Sequence, residues 1–410
     1  MLAWRPRPLG HTPTMRIVLL NQFYPPDLAP TGHYLHDVAR ALVAAGHDVT
    51  VVASQRAYGG GGGFAADERV DGVRVRRLAG TGFGRGDLAG KLADYLGYYL
   101  QLAGVLARGE RPDLVVALTT PPYLGLLAKW TAQLRGARHA HWVMDIYPDV
   151  MRAHGMLDGA AYRALQKLAS HALGGAGVVL TLAPGMAAGL RAYTDPRTPV
   201  EWVPLWTPEG LEPWPAGQNV PLRAERGWSA ERLVLLYSGN LGLGHRFEEF
   251  LAAAAALGAN GPRWAFAGAG RARPRIERFI AEQPALPVEL LDNVPAERLR
   301  EHLCSADVHL MSLEPSWEGT LLPSKLQASL AVGRPVLYVG DPRGDLARWI
   351  AESGAGWVVA PGASAELLAA LAAAADPHAR AARADAALRA RVGRFGRAEN
   401  IARAAQLLVG

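Results

Sequence analysis

The string EGTLLPSK, Glu318 to Lys325, places one cation where a helix is expected to begin. Glu314 and Glu318 fall in a loop after an apolar run, and Pro323 is suited to open a helix that continues through Leu330. Proline fits a first helical turn because its missing N–H would be unpaired there in any case. Ser324 and Lys325 then lie in that turn, where a cation opposes the positive end of the helix dipole. An anionic ligand would reverse the penalty. Lysine is also scarce, standing only at Lys91, Lys129, Lys167 and Lys325 among 43 basic residues. The chemistry this suggests is a grip on phosphate by Lys325, Ser324 and the backbone of Gly319, Thr320, Leu321 and Leu322. Glu318 is the adjoining carboxylate.

A second segment, YSGNLGLGHRFEEFLAAAAAL, has the same logic. An apolar strand ends at Ser238 and Gly239, a glycine-rich turn follows, and a helix is expected to start near His245 or Phe247. Such a turn aims backbone N–H groups and a helix dipole at one point, which suits a phosphate. Gly239, Gly242 and Gly244 would supply amides, and Asn240 and His245 side-chain donors. Near the N-terminus, PTGHYLHDVARAL predicts a helix in which Gly32 permits close backbone approach. In WVMDIYPD, Asp145 and Asp149 are separated by a proline and are no fixed helical pair; Asp145 would orient a hydroxyl or cap the next helix.

Short apolar runs alternating with helical periodicity must position these loops. They read as strands at 16–21, 48–54, 73–78, 114–118, 139–145, 178–182 and 200–204, and again at 233–239, 264–268, 288–292, 306–313, 335–340 and 356–360. Near-continuous apolar strands between helices imply parallel sheets covered on both faces. The expected class is α/β, with two Rossmann-like doubly wound domains facing across a cleft. Their bounds are 15–205 for an acceptor-side domain, 206–230 for a proline-rich linker, 231–393 for a donor domain, and 394–410 for a C-terminal helix packing back toward the first domain. Ligands bind beyond the carboxyl ends of strands in such sheets.

The 410 residues are half hydrophobic and one-fifth charged, a globular profile, and the net charge is +6. No apolar run is long enough to span a membrane; LADYLGYYLQLAGVLA at 92–107 is too short and carries Asp94. Basic residues are not interleaved with aromatics as in nucleic-acid binders. Cys304, the single cysteine, excludes an internal disulfide and fits a reducing cytosol. Residues 1–14 lack the apolar core of a secretory signal, and Met15 is a plausible start. The histidines form no trusted metal grouping; His33 and His36 share a helix face without a third ligand. The loop at 58–64, YGGGGGF, is expected to be mobile.

SGNLGLGH and LPSKLQASLAVGRPVLYVGDP resemble the donor-binding motifs of retaining family-4 glycosyltransferases of the GT-B fold. The closer resemblance is to the subgroup of colanic-acid, O-antigen and capsule synthesis, and it extends to NQFYPPDLAPTG, WVMDIYPDV and the linker. The resemblance implies transfer of a sugar, with retention, from a nucleoside diphosphate such as a UDP-N-acetylhexosamine to a glycan or polyprenyl-diphosphate-linked acceptor. It implies no metal or other cofactor, because helix dipoles and cations stabilise the departing diphosphate. Asn240 and His245 occupy the places of an arginine and a lysine, making that grip neutral or pH-dependent and leaving Lys325 as the fixed charge. Thr320 and Ala328 stand where many relatives carry two glutamates, and Met144 where many carry a histidine. The loop holding Tyr24, Thr31, Gly32 and His33 lies on the acceptor side in similar enzymes.

Asp145, Glu318 and Lys325 are thus the catalytic candidates. The implied place is cytoplasmic and peripheral at the membrane, where the segment DYLGYYLQLAGVL and Arg74, Arg76, Arg77, Arg85 and Lys91 would meet anionic lipid. A core helix beside a charged strand accounts for the same residues. A UDP-N-acetylglucosamine 2-epimerase of the same fold, or a non-catalytic sugar-nucleotide-binding protein, are the alternative readings.

Overall fold

The computed structural model describes residues 13–27, 29–57, 63–79 and 88–410, with side chains from residue 95 onward in the helix that begins at Leu88. Residues 1–12, most of the glycine loop (58–62), Arg85 and the side chains of Lys91 and Asp94 lie outside the described residues. The chain divides into two compact units. One is Met1–Pro204 with Ala398–Gly410, the other Leu205–Arg397.

The first unit holds strands β1 (Arg16–Leu20), β2 (Asp48–Ser54), β3 (Asp67–Val70), β4 (Val73–Leu78), β5 (Leu114–Ala117), β6 (Arg138–Trp142), β7 (Val179–Thr181) and β8 (Val200–Trp202). They form one sheet in the order β3-β4-β2-β1-β5-β6-β7-β8, parallel except for the antiparallel edge pair β3–β4. The edge strand has the sequence DERV and no apolar run to announce it, so sequence periodicity misses it. The central strands are buried, RIVLL and LVVA among them, because helices cover both faces.

The second unit holds β9 (Val234–Ser238), β10 (Arg263–Ala267), β11 (Val288–Leu291), β12 (Val308–Ser312), β13 (Val336–Val339) and β14 (Gly356–Val359). Their order is β11-β10-β9-β12-β13-β14, with every pair parallel. Each sheet reverses direction of growth at one place, between β1 and β5 in the first unit and between β9 and β12 in the second. Open α/β sheets bind ligands at such switch points. The glycine turn follows β9 and EGTLLPSK follows β12, so the second switch point is flanked by both motifs.

The segment read as a linker is part of the second unit. It contributes the helix Pro221–Glu225, and Leu211, Val220 and Leu222 pack with Leu303, Cys304, Ala331 and Val332. The final helix, Arg397–Val409, buries Ala404, Ala405 and Leu408 in the first unit. There the Arg138 guanidinium donates to the carbonyls of Val409 (3.2 Å) and Gly410 (3.1 Å).

Candidate active site

Adjacent strands β9 and β12 bring Gly239, His245, Ser312 and Lys325 together across as many as 86 positions of sequence. Gly239 has φ +130°, a conformation L side chains rarely adopt, and a Cβ on it would lie 2.7 Å from Lys325 Cε. Its bareness lets the lysine stem lie across the turn. Gly244 is equally constrained, since a Cβ there would come within 2.8 Å of the Trp317 ring.

His245 Nδ1 lies 2.6 Å from the Ser312 carbonyl, which can only accept, so Nδ1 carries the proton. Its bare Nε2 then faces Lys325 Nζ at 3.2 Å. The same ammonium sits 4.8 Å from the centre of the Tyr237 ring, whose hydroxyl donates to the Asn240 carbonyl at 2.8 Å. No carboxylate forms an ion pair with Lys325 among the described residues. Burial lowers the Lys325 pKa to about 7. Burial and the neighbouring ammonium push His245 down to about 3. One expectation is corrected, since the charge of Lys325 is not fixed at neutral pH. Of the two readings for His245 the neutral one fits, and its ring accepts from the lysine instead of reaching a ligand as a donor.

The next helix starts where expected, beside Phe247, but its first turn already carries a carboxylate. It begins at Glu248, and its N-terminal neighbour Phe247 donates its N–H to Glu248 Oε2 at 2.8 Å. The helix end is therefore matched by the protein's own carboxylate. The N–H of Gly239 is spent on the Ala267 carbonyl (2.9 Å), which removes it from the expected amide set. Those of Asn240, Gly242 and Gly244 take no protein partner among the described residues. Asn240 is exposed at the tip of the turn. Arg246 is neutralised by Glu249 and by both oxygens of Glu314 (3.0 and 2.9 Å), and its N–H donates to Ser312 Oγ.

The helix after EGTLLPSK spans Lys325–Ala331 with Ser324 as its N-cap, starting two residues beyond Pro323. Lys325 is its first residue. Glu318 accepts a hydrogen bond from the Tyr338 hydroxyl at 3.0 Å, and burial raises its pKa, with Asp345 and Asp341 adding to the effect. Thr320 turns inward, its N–H and hydroxyl both donating to the Trp317 carbonyl (3.1 and 2.7 Å). Gly319 and Leu321 are partly exposed, and Leu322 is buried. Ala328 packs on the Leu211–Val332 cluster. The sequence does not single out Ser312, Trp317, Tyr237 and Tyr338, because nothing in a strand residue or a lone aromatic marks which loop it will meet.

In the first unit, Tyr24 is an anchor. It is buried, and its hydroxyl meets His36 Nδ1 at 2.8 Å, while His36 Nε2 meets Asp71 at 3.1 Å. Gly32, in the first turn of the helix Pro30–Ala44, lies so close to Phe23 and Tyr24 that a Cβ would sit 3.0 Å from the Phe23 carbonyl oxygen. The close approach it permits is to this chain's own backbone. Thr31 is half-buried, and His33 is exposed with its pKa lowered chiefly by loss of hydration.

Asp145 follows β6. Its N–H and that of Met144 point to Thr119 Oγ1 (3.3 and 3.4 Å), and burial raises its carboxyl pKa to about 6. Asp149 opens the helix Asp149–Ala153 and accepts hydrogen bonds from Tyr162 (2.9 Å) and Tyr193. Arg77 is buried, pairing with Glu68 (2.6 Å) and donating to the Tyr24 and Pro25 carbonyls, which removes it from the expected lipid-facing set. Among the described residues no three His, Cys, Asp or Glu side chains group to hold a metal ion.

Residues 31–206 match the model of a glycosyl transferase 4-like domain, and residues 232–376 that of glycosyl transferases group 1. The probable glycosyltransferase WbjE of Pseudomonas aeruginosa is 27% identical over 277 residues, 66% of this chain and 68% of that protein. The putative colanic acid biosynthesis glycosyl transferase WcaI of Escherichia coli K12 is 25% identical over 341 residues, 78% of this chain and 82% of WcaI. Among solved structures, Anabaena Alr3699/HepE in complex with UDP-glucose superposes with a TM-score of 0.69 at 15% identity, covering 96% of this chain and 99% of that one.

Proposed function

We propose that this chain, which belongs to the family-4 glycosyltransferases of the GT-B fold, moves a sugar from a UDP-linked donor, such as a UDP-N-acetylhexosamine, to a hydroxyl of a glycan or polyprenyl-diphosphate-linked acceptor with retention. The observation that carries this reading is Lys325. It is a cation at a switch point, without a carboxylate, beside loop amides that have no protein partner. A dianionic diphosphate supplies what each of these lacks. The bond between C1 and the phosphate oxygen breaks with its electron pair going to the diphosphate. The acceptor oxygen bonds to C1 from the same face, and its proton passes to the departing phosphate. Donors preorganised toward that oxygen stabilise its growing charge more than they stabilise the bound donor.

In this reading the Lys325 ammonium and the amides of Gly242 and Gly244 carry that work, with no metal required. His245 holds Nζ in place by accepting from it. Glu318, locked by Tyr338, is assigned to the donor sugar, and Asp145 to the acceptor hydroxyl. The name of WcaI and the UDP-glucose complex of HepE support a role in surface polysaccharide synthesis and a uridine donor. No helix of the described residues is long and apolar enough to cross a membrane. Leu96 and Leu100 are 61% and 66% exposed on the helix Leu88–Arg108, which supports peripheral contact with the cytoplasmic membrane face; sedimentation with anionic vesicles tests this.

The decisive experiment is thermal shift with UDP and UDP-sugars followed by product analysis. A donor raises the melting temperature in proportion to its affinity. A glycoside with retained anomeric configuration is expected. A free epimerised sugar, or binding without turnover, would replace this reading with one of its rivals.

A further inference from the structure

Beyond the carboxyl ends of β5 and β6, the first unit holds a half-open pocket of about 50 Å³. Most of its wall is aliphatic, including Leu118, Val143, Ile146, Leu173 and Leu190. Six polar side chains also line it, those of Thr119, Tyr123, His141, Asp145, Tyr147 and Tyr193. The Tyr123 hydroxyl and His141 Nε2 are buried without a hydrogen bond, and His141 is only 2% exposed. The half-buried Asp145 carboxyl forms no hydrogen bond or ion pair among the described residues. Buried polar groups are nearly always paired, and each unpaired one costs about 1–3 kcal/mol. Tyr123 moreover holds φ +67°, a strained region for a residue with a side chain, which fixes where its ring points. Its neighbour Asp149 shows the opposite condition, with both oxygens taken by tyrosines.

The lining limits the occupant. No lysine or arginine lines the cavity, so a phosphate or carboxylate would meet Asp145 uncompensated. A free amine would satisfy Asp145 and leave Tyr123 and the aliphatic wall unused. At roughly 10–15 Å³ per water-sized group, the volume admits about four such groups. An acetamido substituent has four heavy atoms, with one N–H, one carbonyl and one methyl.

We propose that this cavity is the subsite for an acetamido group of the acceptor sugar. The N–H donates to Asp145, the carbonyl accepts from Tyr123, and the methyl rests on Leu118, Val143 and Ile146. The assignment depends on the glycosyl-transfer reading above.

Saturation-transfer NMR on the full chain tests it with methyl N-acetylglucosaminide, methyl glucosaminide and methyl glucoside. The acetyl methyl should receive the strongest saturation, and the N-acetyl compound should bind at least tenfold tighter than the other two. Tyr123→Phe should weaken that binding about tenfold, the loss of one hydrogen bond. Ala169→Leu, which fills the cavity from the helix Gly159–Leu173, should abolish it. Thermal stabilisation by UDP should persist in both variants; its absence from the wild type would strike the donor reading and leave the subsite to be judged by NMR. Equal binding of the glucoside, tighter binding of the free amine, no binding of any of the three, or N-acetyl binding indifferent to both substitutions would each overturn the subsite, the last leaving a water-filled cavity.

Discussion

Lys325 in the C-terminal unit and Asp145 in the N-terminal unit both lie beyond a strand's carboxyl end with no opposite charge for company. Arg77, Arg223 and Arg246 are treated differently, being bound to Glu68, Asp307 and the Glu249–Glu314 pair. A buried charge held by its partner is structural. A largely buried charge held by neutral groups is a candidate for a functional role. The signs differ as the proposed ligands differ, a cation for a diphosphate and a carboxyl for groups that donate hydrogen bonds. Burial moves both toward neutrality, Lys325 down to about 7 and Asp145 up to about 6.

Removing the cation should have the larger effect. Lys325→Ala is expected to lower kcat/KM by about 100-fold or more, the scale of losing one preorganised donor to a developing oxyanion. Lys325→Met should be equally inactive and yet melt higher than the wild type below pH 7, where the folded protein bears the cost of a desolvated ammonium. Each kcal/mol gained would appear as about 2–4 °C. A Met variant that melts lower would show that the lysine is a structural contact. Asp145→Asn should reduce kcat/KM for the acceptor by about tenfold, one charged hydrogen bond, while UDP binding stays unchanged. An equal loss for both substrates would dissolve the contrast.

The pH dependence sharpens it further. A bound diphosphate raises the Lys325 pKa, so the complex holds more protons than the free protein above pH 7. UDP affinity should therefore fall as pH rises through that range, by at most tenfold per unit, and calorimetry in buffers of different ionisation heat should register proton uptake. Lys325→Arg should remove this slope. In the absence of donor, the depressed lysine pKa makes stability rise from pH 7 toward the unfolded lysine value, since the unfolded chain binds more protons there. Last is a packing effect. Gly244→Ala must displace the Trp317 ring, at about 1–3 kcal/mol, measured as a lower melting temperature.

Much of this was legible beforehand. RIVLL, LVVA and VLLYS announce buried parallel strands because an uninterrupted apolar run has few other uses. Lys325 stood out because lysine is rare here and badly placed for a bare helix. Its partner did not, since the His245 contact spans 80 positions and exists only because β12 lies beside β9. The glycine turn misled in part; Glu248 and Glu249 in the first turn could have warned that this helix end already had its anion. Tyr123 and His141 carry no mark in the sequence, because a backbone strain at one and a missing hydrogen bond at the other leave no trace in residue type. Between the prolines at 204–221 stand apolar residues, Leu211 and Val220 among them, that serve the second core, which composition alone does not reveal.

The last helix, Arg397–Val409, completes the first unit although the whole second unit is translated before it. During synthesis the second unit can therefore close while the first still lacks Ala404, Ala405 and Leu408. A chain stopped near residue 397 would emerge with a finished C-terminal unit and an N-terminal one whose apolar surface stays open to chaperones and proteases. Substitutions that break this helix would accordingly disturb the unit whose other residues lie farthest from it in sequence.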